Sequence, residues 1–295
     1  MPHSSLLSRP RRSLLFVPGS HARAMEKAKK LAADVIIFDL EDGVAPGTKE
    51  EARGRIRDAL ANRRSYGHRE LLVRINPLAT TVGLEDFSAL AGAGMDGLML
   101  PKMEAAREVD HAASLLAAHG LGRVPLWANI ETPLGVLQSA KIAAHPACVA
   151  LVAGTNDLRA ALKISHSNDR FPLLYALQTI LCAARAYGKL AFDGTFIQFG
   201  DMHGLEAECQ EGKRLGFDGK TLVHPEQIAI ANEVFSPNEE ETANARAVIL
   251  RYENTLARGQ AVDILDDRMI EELHVRRAHE TLALHRAIEK VSGLR

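Results

Sequence analysis

VPLWANIETPLGVLQSAKIAAHPACVALVAGTND, residues 124–157, is the stretch whose reading decides the fold. Two short apolar runs, LWANI and ALVAG, lead to acidic residues, Glu131 and Asp157. Between them a helical pattern begins after Thr132-Pro133, where threonine can cap and proline suits the first turn. The stretch reads as strand–helix–strand, with a carboxylate at the C-terminal tip of each strand. Parallel neighbouring strands would bring both carboxylates to the sheet edge where α/β proteins hold their ligands. Two hard oxygen donors beside open space suit Mg²⁺, or Mn²⁺ in its place, with positions left for water and substrate. A single acid at a strand end is more often a solvated loop residue. Its repetition on successive strands favours a ligand pair.

Working outward, the same alternation continues in both directions. SLLFVPGS is a buried strand stopped by Pro18-Gly19, and Ser20 is placed to cap the helix HARAMEKAKKLA. VIIFDLED (35–42), LLVRIN (71–76), GLMLPK (97–102), LAFDGTF (190–196) and FDGKTLVHP (217–225) are further strands, with helical patterns between them. Eight strand-like runs alternating with helices predict a (β/α)₈ TIM barrel over residues 1–235. An open doubly wound sheet is the competitor. It would call for a glycine-rich first turn, and PGS is not GxGxxG. Residues 236–295 form a C-terminal helical extension: a long helix, NEEETANARAVILRYENTLARG, a short extended segment, and a last helix. The extension shows no evident core of its own, so it is expected to pack on the barrel or on a neighbouring subunit.

Composition narrows the function classes. With 46% hydrophobic and 25% charged residues, the 295-residue chain is ordinary for a soluble globular protein with a sizeable core. A net charge of -1 leaves no footprint for nucleic acid or an anionic membrane, although the cluster Arg9, Arg11, Arg12 is a local anion-site candidate. LLFV is too short for a signal-peptide core, and no run approaches a membrane span. Cys148, Cys182 and Cys209 are odd in number and widely spaced, as expected of reduced thiols in a cytoplasmic protein.

In a barrel, the strand C-termini carry the candidate site residues. Here they are Asp39, Glu41 and Asp42, Arg74, Lys102, Glu131, Asp157, Asp193 and His224. One reading is a ring of salt bridges closing the barrel top. The sharper one puts a metal on Glu131 and Asp157 and sets Arg74 over the metal-bound substrate, its fork of donors suited to a carboxylate or an enolate oxygen. Metal plus arginine beside a carbonyl is equipment for making or breaking the adjacent C–C bond. The loop Gly154-Thr155-Asn156 offers backbone N–H groups to a substrate carboxylate. Lys102 leaves open a Schiff-base aldolase, or simply a structural ion pair. No HxH or HExxH spacing supports a histidine-based zinc site.

The ordered set RSLLFVPGS (12–20), DLEDGV (39–44), LVRIN (72–76), LPK (100–102), IETPLGV (130–136), GTNDL (154–158) and GFDGKTLVHPEQI (216–228) resembles the citrate lyase β-subunit-like proteins. These include malyl-CoA, citramalyl-CoA and citryl-CoA lyases. The resemblance implies a Mg²⁺-dependent (β/α)₈ barrel acting on a CoA thioester, usually as a trimer or a dimer of trimers. It implies Glu131 and Asp157 as metal ligands and Arg74 as the substrate and enolate contact. Asp39, Glu41 and Asp42 would hold metal-bound waters. Such proteins often carry an acid on the C-terminal segment that reaches a neighbouring subunit's site; in DRMIEE (267–272) this is Glu271, where the family often has aspartate. Lyases, thioesterases and condensing enzymes share the scaffold, so cleavage of a 3-hydroxyacyl-CoA to acetyl-CoA and an oxoacid stands beside hydrolysis of malyl-CoA. A β-subunit working only within a larger lyase complex is a third option.

Overall fold

A computed structural model of the chain describes residues 9–165 and 169–293. Eight parallel strands close into a barrel in sequence order. They are β1 (Ser13–Pro18), β2 (Val35–Asp39), β3 (Glu70–Arg74), β4 (Gly97–Leu100), β5 (Leu126–Ile130), β6 (Cys148–Ala153), β7 (Leu190–Asp193) and β8 (Gly219–Leu222). Every residue of β2, β4, β5, β7 and β8 is buried. Burial on both faces is why these runs are continuously apolar rather than alternating. Trp127 on β5 stacks on Phe192 of β7, ring centroids 5.1 Å apart. These strands are not neighbours, so the rings meet across the barrel interior and fill it.

The crossings are made by α1 (Ala22–Ala28), α2 (Lys49–Ala61), α3 (Thr81–Leu90), α4 (Ala106–Ala118), α5 (Pro133–Ala144), α6 (Thr155–Ala161), α7 (Leu174–Ala186) and α8 (Met202–Leu215), with α9 (Gln227–Val234) after β8. Thr132 caps α5 as its sequence suggests, accepting the Gly135 N–H at 3.0 Å with Pro133 in the first turn. At α1 the cap is His21 rather than Ser20: its Nδ1 accepts the Ala24 N–H at 3.1 Å. The sequence reading had no counterpart for α6 or α9. Both are short, so their periodicity has few turns in which to show.

Register carries the site residues to one edge. Asp39 pairs with Pro18 on one side and Arg74 on the other, and Ile130 pairs with Ala153. At the opposite end Arg12 forks onto Asp34, and Arg11 pairs with Glu70. The basic cluster near the N-terminus is therefore no anion site: two of its arginines neutralise acids just before β2 and at the start of β3. Cys148 and Cys209 are buried and Cys182 is exposed, all three unpaired.

Arg11–Phe235 form one compact unit, and the chain from Ser236 belongs to another. The second unit holds α10 (Glu239–Ala257), a hairpin of β9 (Asp263–Leu265) and β10 (Arg268–Ile270), and α11 (Glu272–Ser292). Asn238 and Glu241 form a reciprocal capping box at the start of α10. Contrary to the expectation from sequence, this unit has a small core of its own. Val248 and Tyr252 of α10, Ile270 of the hairpin and Ala278 of α11 pack together. Among the described residues no helix is long and apolar enough to cross a membrane.

Candidate active site

Asp39 ends β2 with its side chain buried, a costly place for a carboxylate unless its lone pairs are used. All are used. Asp39 accepts the Glu41 N–H at 2.9 Å and the Gly43 N–H at 3.0 Å, which shapes the turn after β2. It also accepts two bonds from the Arg74 guanidinium, at 2.7 and 2.8 Å. Four donors fill a carboxylate's capacity, so Asp39 anchors Arg74 and the turn rather than holding a water. Asp42 is exposed.

Arg74 ends β3 in register with Asp39, and its guanidinium lies 4.5 Å from the Phe16 ring centroid. A third N–H group points to Glu41, Nη1 to Oε2 at 2.8 Å, though not aligned as a hydrogen bond. Burial opposes the charge on Arg74, but Asp39 and Glu41 outweigh it and hold its pKa above the ordinary value. Of five N–H donors, two bond Asp39 and a third faces Glu41 as an ion pair, leaving two for a ligand.

Glu131 follows β5 and is buried. Its Oε1 accepts the Lys102 backbone N–H at 2.7 Å, and its Oε2 accepts from Asn129. Lys102 reaches this contact with φ 52, a left-handed conformation uncommon outside glycine. The Lys102 side chain turns away, its Nζ 2.8 Å from Glu41 Oε1 and 3.6 Å from Asp42. The hydrogen bond to Glu41 raises the Lys102 pKa, the reverse of what a Schiff-base nucleophile requires.

β6 stops at Ala153, and the GTND segment then turns into α6. Asp157 thus lies in the first turn of a helix rather than at a strand tip. The Gly154 N–H is spent on the Ile130 carbonyl at 2.9 Å and is not offered to a substrate. A Cβ on Gly154 would lie 2.2 Å from Glu131 Cβ and 2.7 Å from its Oε2, so only glycine lets β6 pass the glutamate. Thr155 and Asn156 face the same space, and Asn156 Nδ2 donates to Thr195 Oγ1 at 2.9 Å.

These groups converge on one cavity of about 350 Å³, lined by Asp39, Asp42, Arg74, Glu131, Gly154, Thr155, Asn156 and Asp157. Asn129, Thr195, Thr221 and Phe16 line it too, and none stood out in the sequence. Asn129 had a signal, an amide within the apolar run LWANI; the others had none. Four strand-end candidates do not line it: Glu41 and Lys102, which contact the lining residues Arg74 and Glu131, and Asp193 and His224, which lie apart. Asp193 is buried in ion pairs with Arg170 and Lys220, and His224 sits 3.7 Å from Glu226. Glu271 caps α11, its N–H donating to His274 Nδ1 at 3.2 Å.

The donor set suits a divalent cation. Burial, with the facing Glu41 and Asp157 carboxylates, pushes Glu131 up to about 8. Such a site is short of positive charge, and its carboxylate oxygens are hard donors of the kind magnesium takes.

A parallel eight-stranded barrel with acids, an arginine and a cavity at its C-terminal mouth has the layout of an enzyme of the TIM-barrel class. Residues 12–225 match the HpcH/HpaI aldolase/citrate lyase family, and the chain belongs to that family of enzymes. It is 46% identical over 279 residues to a (3S)-malyl-CoA thioesterase of Cereibacter sphaeroides, covering 95% of this chain and 96% of the relative. It is 36% identical over 286 residues to the citrate lyase subunit beta of Leuconostoc mesenteroides subsp. cremoris, covering 95% and 94%. Its fold is similar to CitE of Mycobacterium tuberculosis in complex with magnesium, acetoacetate and coenzyme A. The TM-score is 0.77, with 31% identity over 94% of this chain and 98% of that one.

Proposed function

We propose that this protein is a Mg²⁺-dependent enzyme that reversibly cleaves a 3-hydroxyacyl-CoA of the malyl-CoA or citramalyl-CoA type to acetyl-CoA and an oxoacid. The observation that carries the reading is Arg74, locked by Asp39 with two donors left, at a cavity it shares with Glu131 and Asp157. Glu131 and Asp157 would hold the ion, which when bound supplies Lewis-acid polarisation of the substrate's oxygen. Arg74 places its remaining N–H donors where the thioester oxygen gains enolate charge, preorganised by Asp39 so that no reorientation is needed. Thr155 and Asn156 orient the acid portion of the substrate. Asp39 and Glu41 keep Arg74 in register and tie it, through Lys102, to Glu131.

Glu271 of a neighbouring copy in a trimer or dimer of trimers is proposed as the general acid–base that exchanges the proton at the thioester's α-carbon. Hydrolysis of malyl-CoA to malate is the second reading, favoured by the 46% identity to a thioesterase; there the same acid would steer water.

Incubation of the purified protein with malyl-CoA and citramalyl-CoA, following acetyl-CoA and free CoA separately, decides between them. Acetyl-CoA with glyoxylate or pyruvate is the expected product pair. Free CoA and malate without acetyl-CoA would make the protein a thioesterase. Glu131→Gln, Asp157→Asn and excess EDTA should each abolish turnover. Full activity in EDTA, together with borohydride trapping of pyruvate on Lys102, would sink the metal mechanism and install the Schiff base.

A further inference from the structure

Beside the cavity, and outside the mechanism above, lies a fully buried lysine. Lys220 on β8 has no exposed surface, and its Nζ meets three acceptors. They are Asp193 Oδ2 at 3.0 Å, Glu208 Oε1 at 2.6 Å and the carbonyl of Gly194. Asp193, itself fully buried, takes two bonds from Arg170, at 2.6 and 3.1 Å. Burial of an ion cluster recovers its desolvation cost only when the geometry is complete, and such clusters serve best as devices that fix one arrangement.

What this one fixes is the start of the β7–α8 connection. Gly194 is gripped at both ends, its N–H by Asp193 Oδ1 at 2.8 Å and its carbonyl by Lys220. Thr221, next to Lys220, adds a bond from its hydroxyl to the Asp193 carbonyl at 3.0 Å. Gly194 is pressed so closely on Thr155 that a Cβ would lie 2.2 Å from Thr155 Oγ1. The next residue, Thr195, accepts the Asn156 side-chain amide. The chain of contacts thus runs from the buried lysine to the two residues that precede Asp157.

We propose that Lys220 is a positioning residue: by clamping Gly194 against the buried Asp193, it sets the Thr195 hydroxyl that orients Asn156 and the Gly194 backbone that backs Thr155, and so shapes the wall of the cavity that receives the acid portion of the substrate. The inference rests on the cavity being the substrate site, as proposed above, and the test separates the two. Lys220→Met removes the clamp. Lys220→Gln keeps a donor of smaller size should the methionine variant fail to fold. Thr195→Val leaves every charge in place and removes the acceptor of Asn156.

Two measurements are made on each variant. Hydrogen exchange of the metal-free protein is followed in the peptide covering 154–162, against β1–β4 as control. Binding of pyruvate with Mg²⁺ and of Mn²⁺ alone is followed by calorimetry. Loss of one hydrogen bond predicts a roughly fivefold to tenfold rise in exchange at 154–162 and in the pyruvate dissociation constant for Thr195→Val. Mn²⁺ affinity and control exchange should stay unchanged. The lysine variants should show the same local signature, more strongly. Local exchange at the wild-type rate in the lysine variants would overturn the proposal, as would a uniform rise across the barrel, which marks a merely structural cluster. Wild-type protein that fails to bind pyruvate with Mg²⁺ would refute the site reading instead, while the exchange comparison still judges the clamp.

Discussion

Arg74, the proposed enolate contact, shows how much of such a group's value lies in what holds it. Two of its donors bond Asp39, a third faces Glu41, and its guanidinium lies over the Phe16 ring. Lysine at this position keeps the charge but cannot span both Asp39 oxygens while still offering donors to a ligand. Arg74→Lys should therefore lower kcat by ~10²–10³, the usual loss for one preorganised donor of this kind, with a much smaller change in KM. Steady-state kinetics on the acyl-CoA substrate check this; a raised KM at wild-type kcat would reduce Arg74 to a binding group. Arg74 and Glu131 were legible as cavity residues because a charged residue closing an apolar run has a desolvation cost that only pairing or use can offset, whereas Asp157 reaches the same cavity from the first turn of α6. Thr195 and Thr221 were not legible. A threonine costs little anywhere, and only the closed barrel brings Thr195 to Asn156. Asp39 was legible as a site residue but not in its role, since the four donors that fill its oxygens come from three different residues.

Among the elements, the passage from β6 into α6 shows the difference between pattern and packing. ALVAG is readable as a strand, but the closeness of Gly154 to Glu131 is a property of the β5–β6 pairing, with its register shift between Leu126 and Trp127. Gly154→Ala should force Glu131 aside. The overpacking costs about 1–3 kcal/mol of stability. Mn²⁺ affinity, read by electron paramagnetic resonance, should fall at least about tenfold through loss of a charged ligand. Wild-type Mn²⁺ affinity in a folded Gly154→Ala protein would show that Glu131 is not a ligand. In the C-terminal unit, the β9–β10 hairpin hangs on Asp263. It accepts the Thr255 hydroxyl at 2.6 Å and the Ile264 N–H at 2.8 Å, and pairs with Arg251 and Arg258. Those bonds, Thr255 first, hold the Asp263 pKa well below the ordinary 3.8. A lowered carboxylate contributes stability above the unfolded value and loses it only as pH falls through the folded one. The hairpin should thus stay protected from trypsin-like cleavage at neutral pH, and Asp263→Asn should expose Arg258 and Arg268 several-fold faster, leaving barrel fragments intact. Equal cleavage rates would show that the small core, not Asp263, anchors the hairpin.

For the molecule as a whole, the alternation of eight apolar runs with helices announced the barrel, because parallel strands buried on both faces cannot disguise themselves as surface. The extension was harder to read. Its core of Ala245, Val248, Tyr252, Ile270 and Ala278 is assembled from three elements, the hairpin and a helix on each side of it, and the one buried face of α10 does not declare its partners. Glu271 lies in that unit, one residue after the buried Ile270 and at the cap of α11. A helix-capping role and a catalytic role in a neighbouring copy make different demands on an oligomer. Inactive Glu271→Gln and inactive Glu131→Gln proteins are mixed and allowed to exchange subunits, with exchange verified by mass spectrometry. If the acid works across an interface, some mixed assemblies contain a site with Glu131 from one copy and Glu271 from another. Activity should then return to about a quarter or less of wild type, since only sites pairing two unaltered residues turn over. Exchange without any recovery would place Glu271 in its own chain's site. A fully active Glu271→Gln protein would leave it as the cap of α11 alone, and the proton at the thioester's α-carbon would need another carrier.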